Sequence, residues 1–211
     1  HQYYCVDDSL GLPDNNITHI YRDSHNRLWV ATVNGVCLYQ ANGNFKRVSI
    51  NSANKNIEKI LEDKEGRIFF FTMTDLYQYD EKNNRAITRL SKIVEKNCYN
   101  FSCHIDRKDV MWIVTSYSVK GYRTRDLKLI AQSPVQSYPI ASFLLDGHQL
   151  YISGYNGMQL FDTDTRKWQH LPAALQGLQI PNDMVSGIHP YGEKGNLLLS
   201  TTKHGLLYFN A

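Results

Sequence analysis

Carboxylates, imidazoles and thiols are where this chain could do chemistry. Asp23, Asp63, Asp106 and Asp146 each precede an apolar run at one place in a recurring pattern. An active site is used once, so a recurring acid reads as a turn former whose oxygens accept nearby backbone N–H groups. Glycoside cleavage needs an acid together with a nucleophile or base. The stretches expected to form inner strands offer mainly Glu58 and Glu62, both in one repeat, which is too few for that pair. The 8 histidines show no metal-ligand spacing, and His104 falls inside a strand-like stretch, where it reads as a packed residue. Cys5, Cys37, Cys98 and Cys103 form no CxxC pair. Cys98 and Cys103 could bridge a short loop, but Cys103 sits in a strand pattern, so all four read as plain thiols. No GxSxG, HExxH or GxxxxGK[ST] motif occurs. The expectation is a domain that is not an enzyme and that takes no cofactor and no metal.

Composition narrows the partners. A net charge of +3 with scattered Lys and Arg offers no basic groove, so no nucleic-acid contact is expected. No apolar run approaches the roughly 20 residues of a membrane span. The opening HQYYCVDDS lacks the basic start and apolar core of a signal peptide. Tyr is abundant at 14 residues, with 8 Phe and 3 Trp, and this favours half-buried strands.

The elements that would position any site come from self-similarity. RLWVATVNGVCLY at 27–39 returns as RIFFFTMTDLYQY at 67–79. Each unit is an apolar strand, Asp, a polar turn, a strand ending in Thr or Ser, a small turn, and a strand ending in an aromatic. Weaker copies cover Phe101–Tyr122, Ile140–Phe161 and Met184–Phe209. The closing aromatics Tyr39, Tyr79, Tyr122, Phe161 and Phe209 lie 40, 43, 39 and 48 residues apart. After each of the first four comes a more polar stretch, such as NGNFKRVSI or DTRKWQHL, suited to an outer strand. A period near 40–50 with several strands per unit belongs to β-propeller blades. The predicted fold is all-β, a β-propeller of about five four-stranded blades, either a closed five-bladed ring or part of a seven-bladed one. The blades are expected near 7–50, 51–91, 92–131, 132–171 and 172–211, with 2–6 as a closing outer strand. Trp29, Phe69, Trp112 and Tyr151 fall at equivalent positions and read as packing between blades. In such a fold the turns between second and third strands gather on one face and are free to vary. They offer Asn34, Asp75, Asn156, Lys203 and His204 to bond hydroxyl or acidic groups, and Tyr117 and Tyr155 to stack on a sugar ring.

Gly11, Leu12, Pro13, Asn16, Ile17, Asp23, Leu28, Trp29, Val30, Ala31, Thr32, Gly35, Val36 and Tyr39 carry a further signal. In that order and spacing the first copy resembles the two-component regulator propeller repeat. The second copy matches through Asp63, Gly66, Phe69, Thr72 and Tyr79, and the fourth through Asp146, Tyr151, Gly157 and Phe161. The third and fifth are degenerate. The resemblance implies the periplasmic sensor region of a Bacteroidetes hybrid two-component system. There, two seven-bladed propellers and an immunoglobulin-like domain precede a membrane helix, a histidine kinase and a DNA-binding regulator, and many members sense glycan-derived oligosaccharides. It implies as partners an oligosaccharide ligand, further propeller and immunoglobulin-like domains of the parent chain, and a homodimer. The alternatives are a non-catalytic scaffold for protein–protein interaction and, further off, a glycoside-cleaving propeller enzyme.

Overall fold

The computed structural model describes residues 11–95, 98, 101–136, 138–154, 157–172, 175, 184–192 and 196–209. Among the described residues, twenty strands form five sheets, and the chain divides into two compact units meeting at Val94 and Glu95. The first unit holds two blades. One is β1 (Ile17–Arg22), β2 (Leu28–Thr32), β3 (Gly35–Tyr39) and β4 (Phe45–Arg47), paired in chain order. The other is β6 (Lys59–Glu62), β7 (Ile68–Phe71), β8 (Asp75–Asp80) and β9 (Arg85–Ser91), with the short β5 (Ser49–Ile50) added on its outer edge. β5 runs parallel to β9, and Ser49 N–H donates to Asn84 O at 3.1 Å. β5 thus pairs with the second blade although it lies within the stretch 7–50 expected for the first. After Arg47 the chain leaves its own sheet because the open edge of β9 supplies partners.

The second unit holds three blades. β10 (Phe101–Ile105), β11 (Val110–Thr115), β12 (Ser118–Arg123) and β13 (Lys128–Pro134) form the third. β14 (Pro139–Leu145), β15 (Gln149–Gly154), β16 (Gly157–Asp162) and β17 (Lys167–Gln169) form the fourth. β18 (Val185–Pro190), β19 (Leu197–Thr201) and β20 (Leu206–Phe209) form a three-stranded fifth. All five sheets are antiparallel meanders, apart from the β5 addition, and the fold class is the all-β propeller. The expected closing strand 2–6 lies outside the described residues.

Ring packing explains the repeat. Trp29, fully buried, meets Phe70 at 5.6 Å and the closing aromatic Tyr79 edge-on at 4.9 Å. Trp112 meets Phe161, the closing aromatic of the next blade, edge-on at 5.3 Å. Phe209 packs against the cluster that contains Tyr151. In these three pairs of blades the strand-two ring therefore packs with the strand-three aromatic of the next. Edge-to-face contact suits the quadrupoles of both rings. A single blade cannot bury its second face, and Tyr79, Phe161 and Phe209 help to close that gap.

The recurring acid is a turn clamp in three blades. Asp23 Oδ1 accepts the N–H groups of His25 and Arg27, at 3.0 and 2.8 Å. Its Oδ2 accepts Arg27 Nε at 2.6 Å and Trp29 Nε1 at 2.8 Å. Asp106 repeats this with Lys108 and Val110 N–H and with Trp112 Nε1 at 2.7 Å. At Asp63 the ring is Phe69, which has no donor, and Oδ2 accepts Arg67 Nε at 2.6 Å, the counterpart of the Arg27 bond. Asp146 does not share this function. It is exposed, with φ of 49°, in a loop of three residues between the paired Leu145 and Gln149. The corresponding loops of the first three blades run five residues, for instance between Arg22 and Leu28. In the shorter turn His148 N–H donates to Leu145 O at 3.1 Å.

Side chains also cover the inner-strand edges between neighbouring blades. His19 Nδ1 accepts Ile60 N–H at 3.3 Å, and Ser153 Oγ donates to Val185 O at 2.6 Å. His104, read as a packed residue, places Nε2 at 2.9 Å from Ser142 Oγ and 3.1 Å from its carbonyl. Burial, aided by Lys59, pushes His19 down to about 4. A histidine whose folded value lies below its unfolded 6.5 contributes stability above pH 6.5 that is lost as pH falls to 4. Because the ring is only half-buried, the expected loss is on the order of 1 kcal/mol after solvent screening. Melting curves of wild type and His19→Asn between pH 7 and 4 should converge as pH falls.

Candidate functional site

The turns between second and third strands of the first, second, third and fifth blades share one device. Thr32 Oγ1 accepts Asn34 N–H at 3.2 Å and donates to Gly35 O at 3.0 Å. Thr115 Oγ1 accepts Tyr117 and Ser118 N–H at 3.3 and 3.1 Å, and Thr201 Oγ1 accepts His204 N–H at 3.0 Å. Thr72 does the same for Thr74 and Asp75 N–H. These hydroxyls fix the hairpin backbones and leave the tip side chains to vary. Thr115→Val keeps the volume and removes the bonds, so about 1–2 kcal/mol of stability should be lost, read from urea unfolding of the second unit.

The candidate residues take different positions on these hairpins. Asn34 is exposed at the tip of the first. Asp75 is half-buried, its Oδ2 accepting Thr74 Oγ1 at 2.7 Å, so it serves its own turn. Tyr117 is half-exposed, and its carbonyl accepts Val135 N–H at 3.1 Å. Lys203 and His204 are exposed at the β19–β20 turn. Tyr155 and Asn156 lie outside the described residues. In the first unit, the groove that Asn34 lines does not include Asp75.

That groove has a volume of about 260 Å³. Val36, Val48 and Ile50, all buried, form its apolar floor. Pro13, Asn34, Arg47, Ser49 and Lys55 stand around it. Its construction joins distant parts of the first repeat. Arg47 Nε donates to Gly11 O at 3.1 Å and Nη2 to Leu12 O at 2.8 Å, tying the Gly-Leu-Pro stretch to β4. Gly35, at φ of 132°, faces Pro13. A Cβ there would lie 3.5 Å from Pro13 Cβ, and the backbone angle suits only glycine. The connector carrying Lys55 is stiffened by short turns, Asn54 N–H to Ser52 Oγ and Asn56 N–H to Asn54 Oδ1. Arg47, Ser49 and Lys55 were missed by sequence reasoning. The one available signal was the Asn- and Ser-rich NSANKN connector carrying a single cation.

The lining of this groove is chemically mixed. It combines an apolar floor, neutral hydrogen-bonding groups and two cations, and no acid lies among its lining residues. The clustered glutamates of the second blade are used elsewhere. Glu62 accepts Ser24 N–H at 2.8 Å and Ser24 Oγ at 2.5 Å, and Glu58 accepts Asn56 Nδ2 at 2.6 Å. Among the described residues, no group of three or more His, Cys, Asp or Glu is placed to hold a metal ion, and no helix is long and apolar enough to cross a membrane. Among the described residues Cys37, Cys98 and Cys103 form no disulfide with one another, and Cys98 Sγ meets Ser116 Oγ at 3.2 Å.

Residues 11–34, which include Pro13 and Asn34 of the groove, match the family described as two component regulator propeller. No curated protein matches the chain. Among solved structures, a catalytically inactive virginiamycin B lyase from Staphylococcus aureus superposes with a TM-score of 0.72 at 12% identity, over 95% of this chain and 68% of that one. The extracellular domain of a putative hybrid two component system from B. thetaiotaomicron superposes with a TM-score of 0.69 at 16% identity, covering 99% of this chain and 29% of its own. A second such domain from the same organism gives 0.58 at 14% identity, with 99% and 35% covered. The chain thus spans about a third of those extracellular domains. At these identities the likeness is one of fold.

Proposed function

We propose that this chain is part of the periplasmic sensor region of a Bacteroidetes hybrid two-component system and recognises a glycan-derived oligosaccharide without catalysing a reaction. One observation carries the reading. The stretch that matches the two component regulator propeller family, 11–34, also supplies Pro13 and Asn34 to the polar-rimmed groove of the first blade. The extracellular sensor domains of similar fold support the location and the class. On this reading the chain's partners are the ligand, further propeller and immunoglobulin-like domains of a longer polypeptide, and a second copy in the signalling dimer. Binding in the groove would shift the balance between two arrangements of that dimer by as much as the ligand's difference in affinity for them. Calorimetry against a panel of plant, host and bacterial oligosaccharides tests it. Saturable binding that weakens in Asn34→Ala supports the reading, and a flat panel sinks it.

A second reading keeps the propeller as a scaffold for protein–protein interaction. It is favoured by the fifth blade, where Tyr191, Leu206 and Tyr208 are 59%, 66% and 54% exposed. Sedimentation would decide it. A dimer abolished by Leu206→Ser supports the scaffold, and a monomer at every concentration counts against it.

A further inference from the structure

We infer that the open edge of β20 takes up an extended strand of a partner polypeptide, one that sets an aromatic residue opposite Phe209. The inference rests on the scaffold reading above and gives its partner a form. Four of the five sheets carry an outer strand beside their third: β4, β9, β13 and β17. The fifth sheet stops at β20, and among the described residues no strand lies along its outer edge. Sheets guard such edges with lysine, proline or other charges, because an open row of main-chain groups is a template for another chain. β20 has none of these: its residues are Leu206, Leu207, Tyr208 and Phe209. The register leaves that row free. Thr201 N–H donates to Gly205 O at 2.8 Å, and the pairing continues from Ser200–Leu206 to Leu197–Phe209. Antiparallel pairs alternate between those that exchange main-chain bonds and those that do not. Leu206 and Tyr208 belong to the second kind, so their N–H and C=O groups point outward. The first blade shows the same edge filled. Gln40 N–H donates to Asn44 O at 2.9 Å, and by the same alternation Leu38, in the place of Tyr208, bonds Lys46.

The chain's own outer strands define what fits. Phe45 lies directly opposite the closing aromatic Tyr39, ring to ring at 5.3 Å. Trp168 lies directly opposite Phe161, edge-on at 5.1 Å. Both rings stand between polar neighbours, Asn44 and Lys46 in one strand and Lys167 and Gln169 in the other. Phe209 closes the fifth blade and is only partly buried, and among the described residues no ring is set against it from outside. The wall beside the edge is already ordered: the Tyr208 phenol accepts Asn196 Nδ2 at 2.9 Å, and its ring meets Tyr191 edge-on at 6.2 Å. In strand addition the main-chain bonds supply affinity and the side-chain seats supply specificity. The outward groups of Leu206 and Tyr208 are the first, and the bare face of Phe209 is the second.

The experiment is fluorescence anisotropy of labelled peptides added to the full chain. The probe is TRKWQHL, the sequence of Thr165–Leu171, which carries the outer strand of the fourth blade. A second peptide replaces its tryptophan with serine. A third is methylated on the main-chain nitrogens of the Gln169 and Leu171 positions, which would face Tyr208 and Leu206 in the register of the fourth blade. The protein variant is Phe209→Leu, which keeps an apolar side chain in the fifth-blade core, with thermal melting recorded beside it. The expected result is saturable binding of the first peptide. The serine peptide should bind about tenfold more weakly, as the loss of an aromatic pair and its buried area implies. The methylated peptide should be silent, and Phe209→Leu should weaken the first peptide while the chain stays folded. Equal binding of the methylated peptide overturns strand addition. Equal binding of the serine peptide, or indifference to Phe209→Leu, overturns the aromatic seat. No binding by any peptide overturns the whole inference, and a dimer that Leu206→Ser abolishes would then still support the scaffold reading through folded faces.

Discussion

Asp23→Ala should destabilise the first unit by about 3–5 kcal/mol, the cost of removing one partner from a buried charged pair. The carboxylate is only 5% exposed, and four donors converge on it: two backbone N–H groups, Arg27 Nε and Trp29 Nε1. Removing it leaves the indole N–H buried without an acceptor and frees a five-residue turn. Trp29 then loses the bond that orients it against Phe70 and Tyr79, so packing between the two blades suffers with the turn. Burial alone would raise the Asp23 carboxyl, but Trp29 and Arg27 together hold it below the ordinary carboxylate range. Such a group contributes stability that is present at neutral pH and lost as pH falls through the folded value, so acid should unfold wild type more steeply than Asp23→Ala. Urea unfolding followed by tryptophan fluorescence measures both effects. Asp146→Ala is the matched control: it alters an exposed turn and should change stability by less than about 0.5 kcal/mol. Equal losses at the two positions would refute the clamp.

Gly121→Val should cost about 3 kcal/mol, the upper end of overpacking in a close-packed interior. Gly121 pairs with Trp112 across β11 and β12, and a Cβ there would lie 2.8 Å from the indole ring. The indole cannot retreat: it is fully buried, bonded to Asp106 and set against Phe161. The valine must therefore push the strand or break the Asp106 bond. Adding Trp112→Phe removes the ring atoms in conflict, so the double variant should be more stable than the two single losses added together predict. A strictly additive pair would show that Gly121 is not there to make room for the indole.

Local chemistry made much of this legible. The Asp turn clamp was readable at Asp23, Asp63 and Asp106 because all its partners lie within six residues. Asp146 looked the same, but it stands five residues before Tyr151 where the others stand six before their ring, and that spacing was the available warning. The strand-end Thr residues were visible as pattern, and their hydrogen bonds follow from the turns they close. The groove was half-legible. Asn34 stood out as a hairpin tip, whereas Arg47 and Lys55 sit in an outer strand and a connector, where a charged residue ordinarily means only solvent. Asp75 looked like a free acid until its bond to Thr74 was seen.

The amino-acid order by itself determined the unit: short apolar strands, the acid that turns the first pair, the hydroxyl that closes the second, and an aromatic at each end. These depend on contacts a few residues apart, which spacing alone specifies. The tertiary structure decided which surfaces meet. It placed Tyr79 on Trp29, carried Ser49 and Ile50 to the next blade, and brought Pro13, Asn34, Arg47 and Lys55 around one hollow. Those choices depend on burying faces and edges that belong to different repeats. Each sheet offers several equivalent faces and edges, and only their packing in three dimensions selects among them.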